Sequence, residues 1–216
     1  MVKNLLSIFF MVAIIIIATN NPAYAIELGS EKSKVAVVLD TPGGMFSEPE
    51  KVYETLQQSL DTIFQGTSQY QILPIGETDS YVQIYREEND LTATVETPMG
   101  GTYTRNEMLK KEDIETICKH FDADYMIYVK VSSSTPRFSG GFMSASQKVN
   151  VTLDFRVWSN KKSDFAYTKR AMTTGTSTTV YAGGFGSSSH AVEKGLKKGL
   201  KEIEKDALKI KSAMID

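Results

Sequence analysis

The sequence predicts a single α+β domain: a mixed sheet of about five strands in the order β-α-β-α-α-β-β-β-α, with an amphipathic C-terminal helix packed on it. Three observations carry this prediction. The first half of the chain alternates compact apolar runs with helical periodicity, the second half alternates apolar and polar residues, and residues 188–214 have the pattern of one long amphipathic helix. Strand-helix-strand order favours parallel pairing, whereas alternating runs joined by tight turns favour antiparallel pairing.

The first 25 residues have the organisation of a cleavable signal peptide. Lys3 gives a positive start, Leu5 to Ala18 form an apolar stretch, and Ala23-Tyr24-Ala25 gives the small-x-small pattern that signal peptidase accepts. A membrane anchor needs roughly 20 apolar residues, and this run ends at Thr19. We therefore expect cleavage near Ala25 and an exported protein, periplasmic or extracellular, whose residues 26–216 form the soluble single domain.

Composition excludes several classes of protein. The 24 Lys and Arg residues face 26 Asp and Glu residues, and the one basic run, 194–211, is interleaved with acids, so we expect no nucleic-acid partner. A single cysteine excludes a disulfide framework, and the apolar neighbours of Cys118 predict a core position for it. No cysteine stands directly after the apolar leader, where a lipid would be attached, so we expect no stable membrane anchor after cleavage.

The first half of the mature chain begins with a buried strand. Lys34 to Asp40 is apolar and β-branched and stops at the turn Thr41-Pro42-Gly43-Gly44. Ser47 and Glu50 have the spacing of a capping box, which predicts an amphipathic helix that runs until Gly66. Further along, the patterns predict a strand at 70–75, a weaker helix at 79–88, a Thr- and Gly-rich surface excursion at 89–106 and a helix at 110–121.

The second half reads as an antiparallel meander with a helical cover. Strands are predicted at 125–132, 148–159 and 164–174, and their one apolar face needs a covering layer. The helix at 188–214 supplies it, with Gly195 and Gly199 on one side. Each of these glycines costs roughly 1 kcal/mol relative to alanine, so we interpret them as places where the helix approaches the sheet closely.

Several local phrases resemble a known group of envelope proteins. Lys34 to Asp40, Phe121 to Val129 and Ala191 to Leu196 resemble the first strand, the alanine-aspartate-strand phrase and the closing helix of the CsgG, LpoB and TolB amino-terminal domain family. The resemblance implies an α+β domain that works without catalysis in the bacterial envelope and docks on other proteins. The sequence differs from the family in two respects: outer-membrane members carry an anchoring cysteine, and TolB has a propeller after this domain.

Diglycine loops provide the candidate binding site. If the first and third predicted strands are parallel and a meander follows, three of the four diglycines lie at one end of the sheet, where open α/β sheets tend to bind ligands. Each of the three has an aromatic neighbour of the kind that anchors a protein or glycan partner. The candidate partner-binding residues are Gly43, Gly44, Phe46, Gly140, Gly141, Phe142, Tyr181, Gly183, Gly184 and Phe185.

The sequence predicts a binding or scaffolding module for another envelope protein. An oligomer of this chain is compatible with that function. The alternatives are a small-molecule or glycan binder that uses the diglycine loops, and a hydrolase that uses His120 or His190. The opposite interpretation of the loops is that they are plain connections whose aromatic rings fold back onto the core. No motif calls for a cofactor or a metal ion, so none is expected, and we expect no enzymatic activity.

Overall fold

A six-stranded mixed sheet forms the centre of the structure, a computed structural model that describes residues 32–43, 45–96, 102–141, 144–179 and 187–215. The predicted signal peptide lies outside these residues. The described strands are β1 Ser33–Asp40, β2 Tyr70–Ile72, β3 Thr92–Glu96, β4 Thr102–Asn106, β5 Tyr125–Ser133, β6 Arg137–Gly141, β7 Ser144–Ser159 and β8 Asp164–Thr179. The described helices are α1 Pro49–Phe64, α2 Ile75–Glu88, α3 Lys111–Phe121, α4 Ser188–Glu204 and α5 Ala207–Ala213.

The sheet joins a parallel half to an antiparallel half, as predicted. β1 pairs in parallel with β2 on one side and with β5 on the other, and β5, β7 and β8 form the antiparallel meander. The residues from Ser33 onward form one compact unit. The predicted α+β class and mixed sheet are therefore confirmed.

β5 and β6 lie end to end along β7, with a short gap between them. Ser133 pairs with Val151 of β7, and after a short gap Arg137 pairs with Lys148. β8 occupies the other edge of β7 from Ala145 to Ser159. β6 must therefore lie on the same edge of β7 as β5, and these strands continue well beyond the end of β1.

Two layers of helices cover the two faces of the sheet. On one face α1, α4 and α5 pack over the alternate residues of β1, β5 and β7, with Val37, Ile127 and Phe155 at the centre. On the other face α2 and α3 cover a second cluster that includes Val38, Met126, Tyr128 and Trp158. The predicted cover of the meander is confirmed.

Glycines allow α4 to lie against the sheet. A Cβ on Gly195 would come within 2.4 Å of a Val151 methyl, and one on Gly175 of β8 would lie 1.6 Å from the Ala191 carbonyl oxygen. A Cβ on Gly199 would lie 3.2 Å from the nearest atom, a methyl carbon of Leu153. The close approach predicted from Gly195 and Gly199 is confirmed, and Gly175 is its counterpart on the strand.

Cys118 is fully buried in the second cluster, as predicted, and burial raises the pKa of its thiol to about 12. The predicted capping box of α1 is wrong. Glu48 stands at the N-cap without a side-chain hydrogen bond to the helix backbone, Pro49 opens the helix, and the Ser47 hydroxyl lies 3.2 Å from that of Ser189.

Two further predictions need correction. The surface excursion predicted at 89–106 contains two strands, because β3 and β4 pair in antiparallel as a separate two-stranded sheet.

The closing helix is not continuous, since it breaks between α4 and α5 at Lys205 and Asp206. At the break the Asp206 carboxylate is held by Lys169 at 2.8 Å and by the Tyr167 hydroxyl at 2.9 Å. Hydrogen bonds from Lys169 and Tyr167 lower the pKa of Asp206 to about 2.

Candidate functional site

Three cavities meet around the segment that follows β1. β1 stops because Pro42 has no N–H to continue the ladder, and the chain then turns away at Gly43. The cavities have volumes of about 390, 240 and 320 Å³, and Pro42 lines all three. This end of the sheet is therefore the candidate site, and its cavities are called here the edge cavity, the central cavity and the acidic cavity.

The edge cavity lies where β5 continues past the end of β1. The start of α4 closes its other side. Ser187 caps that helix by accepting a hydrogen bond from the His190 amide at 3.4 Å. The cavity is lined by Pro42, Gly43, Met45, Ser132, Ser133, Ser134, Pro136, Val149, Ser188 and Val192.

The central cavity stands over a buried cluster of charges. Asp40, the last residue of β1, lies with its carboxylate 3.5 Å from the Arg86 guanidinium and 3.9 Å from the Lys130 ammonium. Asn106 donates to it at 3.2 Å, and the Tyr128 hydroxyl donates to its second oxygen. Burial, with the Asp40 carboxylate adding to it, raises the pKa of Tyr128. The single carboxylate faces two cations and accepts hydrogen bonds from within the protein, which is the arrangement expected of a structural group.

The acidic cavity lies between α1, α2 and the turn after β1. Asp79, Gln83 and Glu87 are spaced four residues apart on α2 and all line it. The Tyr53 hydroxyl of α1 donates to Asp79 Oδ2 at 2.7 Å. Burial is the main cause that raises the pKa of Asp79, and the Tyr53 hydrogen bond opposes it.

The structure places the predicted site residues in two regions. Gly43 and Phe46 line the acidic cavity, and Phe46 is half-buried and packs against the core. Gly140 and Gly141 lie in β6, paired with Ala145 and Ser144, so the predicted loop at these glycines is wrong. The other candidates, Gly44, Phe142, Tyr181, Gly183, Gly184 and Phe185, lie outside the described residues.

Gly43 and Gly140 are not brought together. Gly43 shares the edge cavity with Val149, whereas Gly140 pairs with Ala145, four residues farther along β7 or roughly 13 Å at the rise of a strand. The ends of β6 and β8 do lie side by side, because Ala145 also pairs with Thr179. The partner-binding role of these residues stays a prediction.

The two histidines lie apart from the cavities. The His120 ring stacks on Tyr81 with centroids 3.7 Å apart and meets Phe121 edge to face. His190 lies in the first turn of α4, where its amide is bonded to Ser187. Within the described ranges no group of three or more His, Cys, Asp or Glu side chains is arranged to hold a metal ion.

Sequence reasoning missed the polar residues that line these cavities. Asp40 and Arg86 are almost completely buried, although charged side chains usually indicate a solvated surface. On the same helix the apolar Ile84 is exposed. The four-residue spacing of Asp79, Gln83 and Glu87 was the one available signal that these side chains share a face.

Comparison with known proteins gives likenesses of fold at low identity. No protein-family model matches the chain, and no curated protein matches it. Similar solved structures include the hypothetical protein CT253 from Chlamydia trachomatis, with 8% identity, a TM-score of 0.39 and coverage of 85% of this chain and 98% of that one. Lipoprotein GNA1162 from Neisseria meningitidis has 13% identity, a TM-score of 0.35 and coverage of 82% and 97%. The LpoB C-terminal domain from Escherichia coli has 13% identity, a TM-score of 0.32 and coverage of 65% and 81%.

Likenesses at this level carry no argument about function, and the resemblance to the CsgG, LpoB and TolB family stays a prediction. In the part of the chain that the structure describes, none of the helices has the length and apolar character needed to span a bilayer.

Proposed function

We propose that the chain is a non-enzymatic binding module of the cell envelope, which takes an extended segment of another protein onto the edge of β5 and β6. The observation that carries the proposal is the early end of β1. Its last pair joins Asp40 to Lys130, whereas the strand line continues through β5 and β6 to Gly141. Residues 131–141 on the side where β1 has ended are called here the open edge.

Within the described ranges no strand pairs with the open edge. Every residue from Ser132 to Gly140 is exposed except Pro136, which is half-buried. Backbone N–H and C=O groups along an unpaired edge are a template for an added strand. A partner segment in extended conformation would continue the line of β1.

The side chains of the open edge support this role. Proteins commonly protect free edges with lysine, proline or inward-pointing charges. Pro136 and Arg137 are the residues of this kind in the open edge, and they lie where β6 begins. Ser132, Ser133 and Ser134, by contrast, are small and uncharged. The serine segment therefore presents backbone groups to a partner with little steric obstruction.

The edge cavity supplies a second element of recognition. In strand addition, main-chain hydrogen bonds give affinity, and pockets for alternate side chains give specificity. A cavity of about 390 Å³ lies directly beside Ser132 and Ser133, with apolar surface from Met45, Val149 and Val192. An apolar side chain of the added segment would fit there, which favours a protein partner over a glycan.

Site-specific photo-crosslinking tests the proposal. A photoreactive amino acid at Ser133 is expected to crosslink to a partner in the intact envelope, and the same amino acid at the exposed Asp61 of α1 is the matched control. Peptides that cover the captured partner are then added to the purified protein, and amide hydrogen exchange is measured. One extended peptide is expected to slow exchange at residues 131–141.

Two outcomes would count against strand addition. Equal crosslinking from positions 133 and 61 would show that the open edge is not a specific contact. Protection by the partner peptide at another surface, with exchange at 131–141 unchanged, would show that the partner docks elsewhere.

A further inference from the structure

The acidic cavity has the electrostatic character of a receptor for a positive group. Among the residues that the structure describes, two carboxylates line it, those of Asp79 and Glu87, and no Lys, Arg or His side chain does. Gln83, Thr104 and Asn106 add neutral hydrogen-bonding groups. Of the charged cavities that meet at Pro42, the central one is lined by Arg105 and Lys130 against Asp40 alone, whereas this one has an excess of negative charge.

Asp79 has an oxygen without a partner. The residue is only 7% exposed; Oδ2 accepts the Tyr53 hydroxyl, and Oδ1 has no hydrogen-bond partner among the described residues. A hydrogen bond from the Leu39 backbone and the charge of Arg86 lower the pKa of Asp79 but do not offset the effect of burial, which raises it. Arg86 makes no hydrogen bond to Asp79: its Nη1 contacts Asp40 at 3.5 Å and the Glu107 carbonyl at 3.1 Å, and its Nε and Nη2 have no hydrogen-bond partner among the described residues. A buried carboxylate with one free oxygen is costly unless a further donor reaches it.

Aromatic rings complete the lining. Phe46 and Tyr53 both border the cavity, and their ring faces attract cations. The volume of about 320 Å³ accommodates a guanidinium or ammonium group with a short alkyl chain. Aromatic rings combined with carboxylates favour an organic cation.

We propose that the acidic cavity binds an organic cation, a guanidinium or alkylammonium group, with Asp79 as its counter-ion. The cation donates to Asp79 Oδ1 and lies against Phe46 and Tyr53, while Glu87 at the exposed rim attracts it. Such a group is carried by an arginine or lysine side chain of a protein and also by free small amines. The proposal goes beyond strand addition, because it concerns a separate cavity on the other side of the turn after β1.

Titration with matched small ions tests the proposal. Ethylguanidinium and n-butylammonium are added to the mature protein in amine-free buffer at low salt, and ¹⁵N NMR shifts of Asp79, Gln83 and Glu87 are followed. Ethylurea and n-butanol are the neutral counterparts. Saturable shifts are expected with the cations and not with the neutral compounds, because charge-assisted hydrogen bonds supply the affinity.

Variants locate the counter-ion. Asp79→Asn keeps the shape of the side chain and an acceptor for Tyr53, and it is expected to weaken cation binding about tenfold. Asp61→Asn, an exposed change on α1, is the control and is expected to leave binding unaltered. Circular dichroism and thermal melting of both variants confirm that each is folded.

The source of the cation is identified by a tripeptide. Tighter binding of acetyl-Gly-Arg-Gly-amide than of ethylguanidinium assigns the site to a protein side chain, and the reverse order assigns it to a free small cation; both support the cation site.

Equal binding of cations and neutral counterparts, no saturable binding, or equal effects of Asp79→Asn and Asp61→Asn would overturn the proposal. Shifts at residues 131–141 are not required, so this proposal and strand addition fail separately.

Discussion

Asp40 collects hydrogen bonds from Tyr128 and Asn106 and faces Arg86 and Lys130, all at the point where β1 ends. Removing an ion from water costs several kcal/mol, and attraction repays that cost only when partners are close. The cluster meets this condition in part: Arg86, which has no exposed surface, reaches Asp40 and the Glu107 carbonyl through Nη1, while its Nε and Nη2 have no hydrogen-bond partner among the described residues. These bonds tie α2 and the end of β4 to β1, and so they hold the walls of the central and acidic cavities.

Asp79→Asn is expected to stabilise the protein at neutral pH. The raised pKa of Asp79 means that its ionised form is disfavoured in the folded state, so the residue costs stability at pH values above its ordinary pKa of about 3.9. The asparagine removes this cost, and each ~1 kcal/mol relieved raises Tm by about 2–4 °C. The measurement is calorimetric melting of the wild type and the variant from pH 7 to pH 3.

The gain should shrink as the pH falls through the raised pKa and vanish below about pH 3.9, where aspartate is protonated in both folded and unfolded chains. Asp61→Asn serves as the control and should show no comparable gain at pH 7. A loss of Tm at pH 7 in Asp79→Asn would mean that the ionised carboxylate stabilises the fold. Stability gained together with cation affinity lost is the pattern of a functional residue.

At the scale of elements, contact between α4 and the meander depends on three glycines. A Cβ added to each of them would meet its nearest neighbour at a different distance. Gly175→Ala is expected to abolish folding or lower Tm by more than 10 °C, because its Cβ would overlap the Ala191 carbonyl. Gly195→Ala should cost about 1–3 kcal/mol, since a Val151 methyl at 2.4 Å must move. Gly199→Ala should be close to neutral, because roughly 1 kcal/mol of helix propensity offsets a contact at 3.2 Å.

Chemical denaturation of the three alanine variants measures this order. Gly76→Ala is a suitable control, because a Cβ there meets nothing within 4 Å. If Gly195→Ala were as stable as Gly199→Ala, the helix would not be held against Val151 in solution.

Elements with strong periodicity could be predicted, and those determined by distant partners could not. The glycine spacing of α4 predicts a close approach of this charged amphipathic helix to the sheet, and the structure confirms it. The break at Asp206 depends on Lys169 and Tyr167 of β8, about 40 residues earlier in the chain. The β3-β4 hairpin has few buried side chains, so its residues carry little apolar alternation to indicate a strand.

Prediction of the candidate site was also partial. The turn after β1 could be placed from the sequence, because a buried strand that meets proline and two glycines must end there. The cavities around it could not, since they are formed by α1, α2 and β5, and the key residue Asp79 resembles an ordinary surface acid. Burial of a charge is a tertiary property that a single sequence does not reveal.

At the scale of the whole molecule, the prediction of export can be tested directly. The exported protein is expected to begin at Ile26, which N-terminal sequencing and intact mass would establish. Ala25→Arg is expected to block cleavage and accumulate the precursor, because signal peptidase requires a small residue there. Thr19→Ser is the control that should leave processing intact, and an exported chain that retains Met1 would contradict the prediction.

The closing helices have a consequence for when the protein can fold. Leu196, Ile203 and Ile210 of α4 and α5 are part of the larger core cluster, and the Tyr125 hydroxyl donates to the Met214 carbonyl. The core on that face therefore stays open until residues near position 214 have left the ribosome. For a chain predicted to be exported, translocation can therefore begin before this face of the core is complete.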